Sequence, residues 1–456
     1  MIPIPVTRWT SVILALLAVA TRAEKPVFDP QDGDTVVFAG DSITHECLYT
    51  QYIEDFYFTR FPERAIHFHN AGVRGDAAAD VLARFDEDIA VHTPRYVTLL
   101  LGMNDGGYEG ISEERFALYQ KGVIQLLDRI KAIGAQAVLL TPTMFDHQVA
   151  ERRQGDTDWR FDGKAFSPDY NAVMALYGAW LREEGRRRGV PVVDLWGPMN
   201  RHTAFQRRVD PPFTMIQDAI HPGPAGQVVM AFEFLDQLLG PENRRVQNLT
   251  VMPRGAGWIG NGGKDAKIHD LVVNADGTLV TFAYESRALP WVLPEEASLI
   301  EQVWELPVGR SRFGFSMTKA GHRLSGDVLK IVGLAPGNYE VELDGSGLGR
   351  TWTHAALGTK IEVQETPASP QYQQALAVAK LNRERNDLAV RPLRDVWQKF
   401  KSQRKKPGAN VAEVLADLKP KIDELIQKGR DYEQRIRQLA QPKLRTCEVH
   451  RVETER

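Results

Sequence analysis

The chain has 456 residues, 43% of them hydrophobic, and a formal net charge of −3. That near-neutral balance excludes the basic footprint of a general nucleic-acid binder, and the length exceeds what one hydrophobic core serves, so two or three domains are expected. Beyond the N-terminus no apolar run is long enough to span a bilayer, so no stable membrane insertion is expected once a leader is removed.

The N-terminus reads as that leader. Arg8 supplies a positive flank, 12–20 is an apolar core too short to span a bilayer, and Ala18-Val19-Ala20 or Thr21-Arg22-Ala23 offers small residues for cleavage. Residues 1–23 are thus expected to be a signal peptide, the mature chain beginning near Thr21 or Glu24, and the protein exported to the periplasm or the extracellular space. No Cys follows the apolar core, so no lipid modification is expected there.

From 24 to 243 strands and helices alternate. Strands are predicted at 34–39, 65–69, 96–101, 136–141 and 191–195, with helices near 46–60, 77–90, 112–133, 168–188 and 224–239. This order implies an α/β domain with a five-stranded parallel sheet between helices, whose ligand site lies beyond the carboxyl ends of the strands.

The residues with chemistry to offer fall at those ends. Gly40-Asp41-Ser42 follows the first strand, and Asp218-Ala219-Ile220-His221 precedes a Pro-Gly-Pro turn. A serine hydroxyl is a weak nucleophile at neutral pH and needs an adjacent base, so Ser42, His221 and Asp218 could act as nucleophile, base and orienting carboxylate. Hydrolysis also needs donors for the oxyanion. The loop Asn70-Ala71-Gly72-Val73-Arg74-Gly75-Asp76 offers the Gly75 N–H without a Cβ in the way, Gly102-Met103-Asn104-Asp105 offers the Asn104 amide, and the Ser42 N–H is a third donor. Asp41 and Asp105 are read as acceptors that shape their loops, not as catalysts. Phe213, Met215 and Ile220 are expected to pack beneath the His221 loop, with lining of an acyl pocket as the alternative.

These four segments resemble, in order and interval, the four blocks of the SGNH (GDSL-type) hydrolase superfamily over roughly residues 34 to 240. The resemblance implies a flavodoxin-like fold and the same roles for Ser42, Gly75, Asn104 and His221. One position departs: Ile43 stands where the family name has Leu.

Between 244 and 366, short β-type runs alternate with turns such as Asn274-Ala275-Asp276-Gly277, and a small β-sandwich is expected, a scaffold or a carbohydrate-binding module. From 367 to 456 the pattern is charged and helical. Val411, Leu415, Leu418, Ile422, Leu425, Tyr432, Ile436 and Leu439 form an apolar seam, with a kink or restart expected at Pro420. A helical hairpin packed on the other domains is the expected arrangement, and an oligomer seam the alternative. Arg404, Lys405 and Lys406 read as a solvated face.

Cys47 and Cys447 carry no spacing signal for a disulfide, and Cys47 is expected to pack as a small apolar residue. His67-Phe68-His69 has a spacing that can bind a metal but no third ligand nearby in sequence, and neither metal nor cofactor is expected. The reading reached is an exported serine esterase acting on an acylated small molecule or polysaccharide, with O-acetyl groups on carbohydrate favoured. The alternatives are a short-chain lipid esterase or lysophospholipase, an acyltransferase, and a non-catalytic polysaccharide-binding protein.

Overall fold

In the computed structural model, which describes residues 27–153, 160–161, 164–294 and 317–453, the five apolar runs form one parallel sheet. Its strands are β1 (Thr35–Gly40), β2 (His67–Gly72), β3 (Tyr96–Leu100), β4 (Gln136–Leu140) and β5 (Val192–Val193), in the order β2-β1-β3-β4-β5. The inner strands are buried on both faces, as their unbroken apolar composition requires. The chain leaves β1 to one side for β2 and to the other for β3, which opens a crevice at the carboxyl ends of β1 and β3. The predicted signal peptide lies outside the described residues.

The helices fall into two packed groups. Leu48–Arg60 lies against Pro224–Leu238, and Glu113–Ala132 meets Tyr170–Arg188 through Tyr119 on Tyr177 and Phe116 on Trp180. The helix expected at 77–90 is instead Ala78–Leu82, Phe85–Asp88 and a turn at Ala90–His92. Arg84 breaks it: its backbone leaves the helical region and its guanidinium turns inward to Asp76, Asp88 and the Ala71 carbonyl. Among the described residues of this domain three α-helices were not expected, Ser42–His45, His147–Arg152 and Trp196–Gln206.

Downstream, the five-stranded sheet Ala266–Val273, Leu279–Ser286, Leu444–Val452, Asn338–Leu343, Ser346–Thr353 shares one core with the four-stranded sheet Ile361–Glu362, Asp327–Ile331, Gln247–Arg254, Gly257–Asn261. The expectation of helix through 456 therefore needs correction, because Leu444–Val452 is the central strand of that larger sheet. The residues Cys447 and Val449 alternate inward with exposed Thr446 and Glu448, the period-two pattern of a strand. Cys447 and Cys47 are both free and buried, Cys447 in the core shared by the two β-sheets.

The remaining C-terminal chain is Pro370–Arg385 and Arg391–Arg404, joined without interruption by the π-helical segment Asn386–Val390, and then Val411–Ala440, which runs through Pro420 without a break. Leu418, Ile422 and Leu425 of the predicted seam bury against Leu393, Trp397, Phe400 and Val73, so this part of the seam is consumed inside the chain. The inner side of this layer is mixed: Tyr372, Ala375, Val378 and Ile436 join the main core, while Arg385 pairs with buried Glu54 at 3.0 Å and Glu433 at 2.9 Å, and Asn382 donates to Asp55 at 2.8 Å. Leu48–Arg60 is consequently buried nearly all round.

Trp397 is 1% exposed and packs with Val73, two residues before Gly75. Trp397→Ala is expected to cost about 3–5 kcal/mol in a urea titration, the usual cost of emptying a large aromatic site. A loss under about 1 kcal/mol would show that the helical layer is not packed on the parallel-sheet domain.

Candidate active site

β1 ends level with its neighbours, Gly40 pairing with Gly72 on one side and Leu100 on the other. The three loops that follow therefore start from one line. Asp41 caps the single turn Ser42–His45 by accepting from the Ile43 N–H at 3.0 Å, a bond of the type worth about 1 kcal/mol. Gly72 lets that turn sit close, since a Cβ there would lie 2.4 Å from the His45 nitrogen. Ser42 is left 8% exposed.

His221 Nε2 lies 2.8 Å from Ser42 Oγ, and His221 Nδ1 lies 2.6 Å from Asp218 Oδ2. The other Asp218 oxygen accepts from the His221 and Ile220 N–H groups at 2.7 and 2.9 Å, so acid and base are held by one turn. That turn contains Ala219 at φ 72°, a left-handed conformation that costs a residue with a Cβ about 1–2 kcal/mol. It is anchored from outside. Buried Asp146 accepts from Arg207 through both oxygens, at 2.8 and 2.7 Å, and from Thr214 at 2.5 Å, while its N–H donates to the Ala219 carbonyl at 3.0 Å.

Gly75 sits at φ 69° in the turn closed by the Asp76 N–H on the Val73 carbonyl. Asn104 Nδ2 donates to the Asp76 carbonyl at 3.1 Å and points toward Asp41 Oδ2 at 3.4 Å, and its Oδ1 accepts from Tyr108 at 3.0 Å. Asp105 accepts from the Ala78 and Gly102 N–H groups, and so joins the loops after β2 and β3.

Burial acts most strongly on His221 and opposes its charged form. The hydrogen bond and charge of Asp218, joined by Glu46 and Asp41, outweigh it, and the imidazole pKa stands above its ordinary value. Burial pushes the Asp218 carboxyl up, but the bond and charge of His221 and the two backbone N–H groups bring it below the ordinary range. Asp41 has no such compensation: burial raises it to about 7 despite the Ile43 N–H and the nearby His221. Glu46, half-buried beside the pair and accepting from Gln227 at 2.7 Å, is raised to about 6, also chiefly by its partial burial.

The structure thus brings Ser42, Asp218 and His221 into one hydrogen-bonded chain and sets Gly75 and Asn104 on the adjoining loops. Asp41 and Asp105 hold backbone N–H groups. Phe213, Met215 and Ile220 are buried in the main core. Cys47 is buried at the head of Leu48–Arg60, and burial lifts its thiol to about 12, which leaves no thiolate for nucleophilic chemistry at neutral pH.

His67 and His69 do not converge on a shared ligand. His67 bonds Glu433 at 2.8 Å and His69 bonds Asp88 at 3.0 Å. Among the described residues His69, Asp88 and His92 bring donor atoms within 4.8 Å of one another. Asp88 is already held by Arg84 at 2.5 Å and Arg394 at 2.8 Å, so the positive charge a cation would bring is present, and the donor set does not fit one.

Sequence reasoning gave no role to Asp76, Glu46, Gln227, Asp146 or Arg207. Asp76 adjoins Gly75 and was open to inference. Gln227, Asp146 and Arg207 meet the site only through the fold, Asp146 and Thr214 standing 68 positions apart in the chain and Glu46 and Gln227 181.

In an NMR pH titration the His221 ring should titrate above 6.5, and Asp218→Asn should move the midpoint down, because burial then acts on the imidazolium without its carboxylate. An unchanged midpoint in Asp218→Asn would contradict the electrostatics described.

Residues 38–229 match the model of the GDSL-like Lipase/Acylhydrolase family. The chain is 23% identical over 224 residues to the acetylxylan esterase of Geobacillus stearothermophilus, which spans 45% of this chain and 94% of that protein. It is 25% identical over 134 residues to the uncharacterized lipoprotein YqeF of Bacillus subtilis (strain 168), 28% of this chain and 54% of that protein. The solved structure of BT4096, a gut microbial diltiazem-metabolizing enzyme, superposes with a TM-score of 0.74 at 23% identity, over 94% of this chain and 100% of that one. The architecture beyond the parallel sheet therefore recurs in a solved protein. With the family match on the segment that carries Ser42, Gly75, Asn104, Asp218 and His221, the protein carries an SGNH-type domain of the GDSL-like Lipase/Acylhydrolase family and is a carboxylic ester hydrolase.

Proposed function

We propose that Ser42 is the nucleophile of a two-step ester hydrolysis. His221 takes the Ser42 proton as Oγ attacks the ester carbonyl, and Asp218 holds the Nδ1–H tautomer and stabilises the imidazolium. The Gly75 and Ser42 N–H groups and the Asn104 amide meet the oxyanion. The imidazolium then protonates the leaving alkoxide, which departs as the alcohol. Water, deprotonated by the same His221, attacks the acyl-Ser42 ester and releases the carboxylic acid. The observation that carries this reading is the unbroken Ser42–His221–Asp218 chain at 2.8 and 2.6 Å.

The substrate we propose is a small acyl group, O-acetyl, on carbohydrate. Similarity to an acetylxylan esterase supports it. So does the openness of the site, where the His221 and Asp218 side chains are 30% and 40% exposed, room for an alcohol far larger than the acyl group. Export is part of the same proposal, supported by the leader-like N-terminus and the lipoprotein relative. Among the described residues no helix is long and apolar enough to cross a membrane.

Initial rates on p-nitrophenyl esters from acetyl to long chain should fall steeply with acyl length. Ser42→Ala should lower kcat by about 10⁴-fold or more, and Asn104→Ala by roughly 10²- to 10³-fold. Activity independent of Ser42, or a preference for long acyl chains, would refute the assignment or the acyl class respectively.

A further inference from the structure

The helix Arg391–Arg404 lies far outside residues 38–229, yet it grips two loops of the site, those of Ser42 and Gly75. Arg391 donates to the Glu46 carbonyl at 3.2 and 3.0 Å, at the end of the turn that carries Ser42, and Asp395 lies 3.3 Å from His45. At the other end of the helix Lys401, 10% exposed, donates from Nζ to the Arg74 carbonyl at 3.0 Å and pairs with Asp76 Oδ1 at 2.8 Å. Asp76 is fully buried, its second oxygen is held by Arg84 at 2.8 Å, and its carbonyl takes the Asn104 amide.

The Arg74 carbonyl and the Gly75 N–H belong to one planar trans peptide, so fixing one end of the plane fixes the direction of the other. Gly75 occupies the left-handed region and has no Cβ, so its own conformation restrains that plane weakly. Lys401 supplies the restraint, and its charge at the carbonyl polarises the peptide toward a stronger N–H donor. Through Asp76 the same ammonium fixes the carbonyl on which Asn104 rests.

We propose that Lys401 is a positioning residue for the oxyanion donors, and that Arg391–Arg404 is therefore part of the catalytic unit. This rests on the assignment of Gly75 and Asn104 given above. Arg404 and Lys405, by contrast, pair with Asp80 on the helix Ala78–Leu82, at 3.0 and 2.8 Å, and Lys405 is 54% exposed.

The test uses the full chain and p-nitrophenyl acetate. Lys401→Met should lower kcat roughly 10- to 100-fold with KM changed less than about threefold, since the donors are needed most in the transition state. Lys401→Arg should recover part of the loss, and Lys405→Ala should leave kcat within about twofold of wild type. Unfolding midpoints measured alongside show whether each variant is folded at the assay temperature. Should Lys401→Met not fold, Lys401→Gln carries the test, with a fall in kcat again expected. A folded Lys401 variant with unchanged kcat, or a rise in KM alone, overturns the proposal while leaving Ser42 as nucleophile. Full activity in Ser42→Ala would instead overturn the reading of the site on which it depends.

Discussion

Everything in the site follows from three parallel strands that end level. Because Gly40 pairs with Gly72 and Leu100, the chain must begin three loops along one line at the sheet edge, and Ser42, Gly75 and Asn104 are placed from that line. Parallel pairing fixes which edge this is, and the outward divergence of the chain from β1 opens the crevice between the loops. The fourth contributor, His221, arrives on a turn held by Asp146 and Arg207.

A second constraint is the treatment of charge. Asp41, Asp76, Asp88, Asp146 and Glu54 all lie in the interior, and burying a carboxylate without a partner would cost several kcal/mol. Four of them meet a guanidinium or ammonium, and those partners tie distant elements together: Arg84 to both Asp76 and Asp88, Arg394 to Asp88, Arg207 to Asp146, Arg385 to Glu54. Among the described residues Asp41 has no guanidinium or ammonium partner, and burial raises its pKa. Such pairs add less net stability than hydrophobic burial would, but breaking one leaves a stranded charge, which makes the arrangement specific. The helical layer is joined to the parallel-sheet domain both by such pairs, Arg394 with Asp88 and Arg385 with Glu54, and by apolar packing of Tyr372, Ala375, Val378 and Ile436 in the main core.

Much of this was legible in the sequence, and the reason is local. The five strands are short apolar runs, and the Ser, Gly and Asn segments directly follow three of them, so the strand prediction also located the loops. Asp218 and His221 sit three residues apart, close enough for one turn to carry both. What was not legible depends on distant partners. The sequence predicts a helix near 46–60 but not that Gln51, Glu54 and Asp55 on it are covered by Pro370–Arg385. Leu444–Val452 follows a long charged helix, and its alternation acquires meaning only when the sheet that receives it is known. The helix at 77–90 broke because Arg84 finds two carboxylates inside, a preference no propensity scale contains.

The central claim is that one serine, activated by one histidine, does the chemistry. It is tested most directly by treating the intact protein with a fluorophosphonate, which phosphonylates an activated serine and loses fluoride, and mapping the adduct by peptide mass spectrometry. The account predicts a single adduct on Ser42, formed in proportion to loss of esterase activity and abolished by His221→Ala. An adduct on another residue that tracks activity, or full esterase activity in protein stoichiometrically labelled at Ser42, would contradict it.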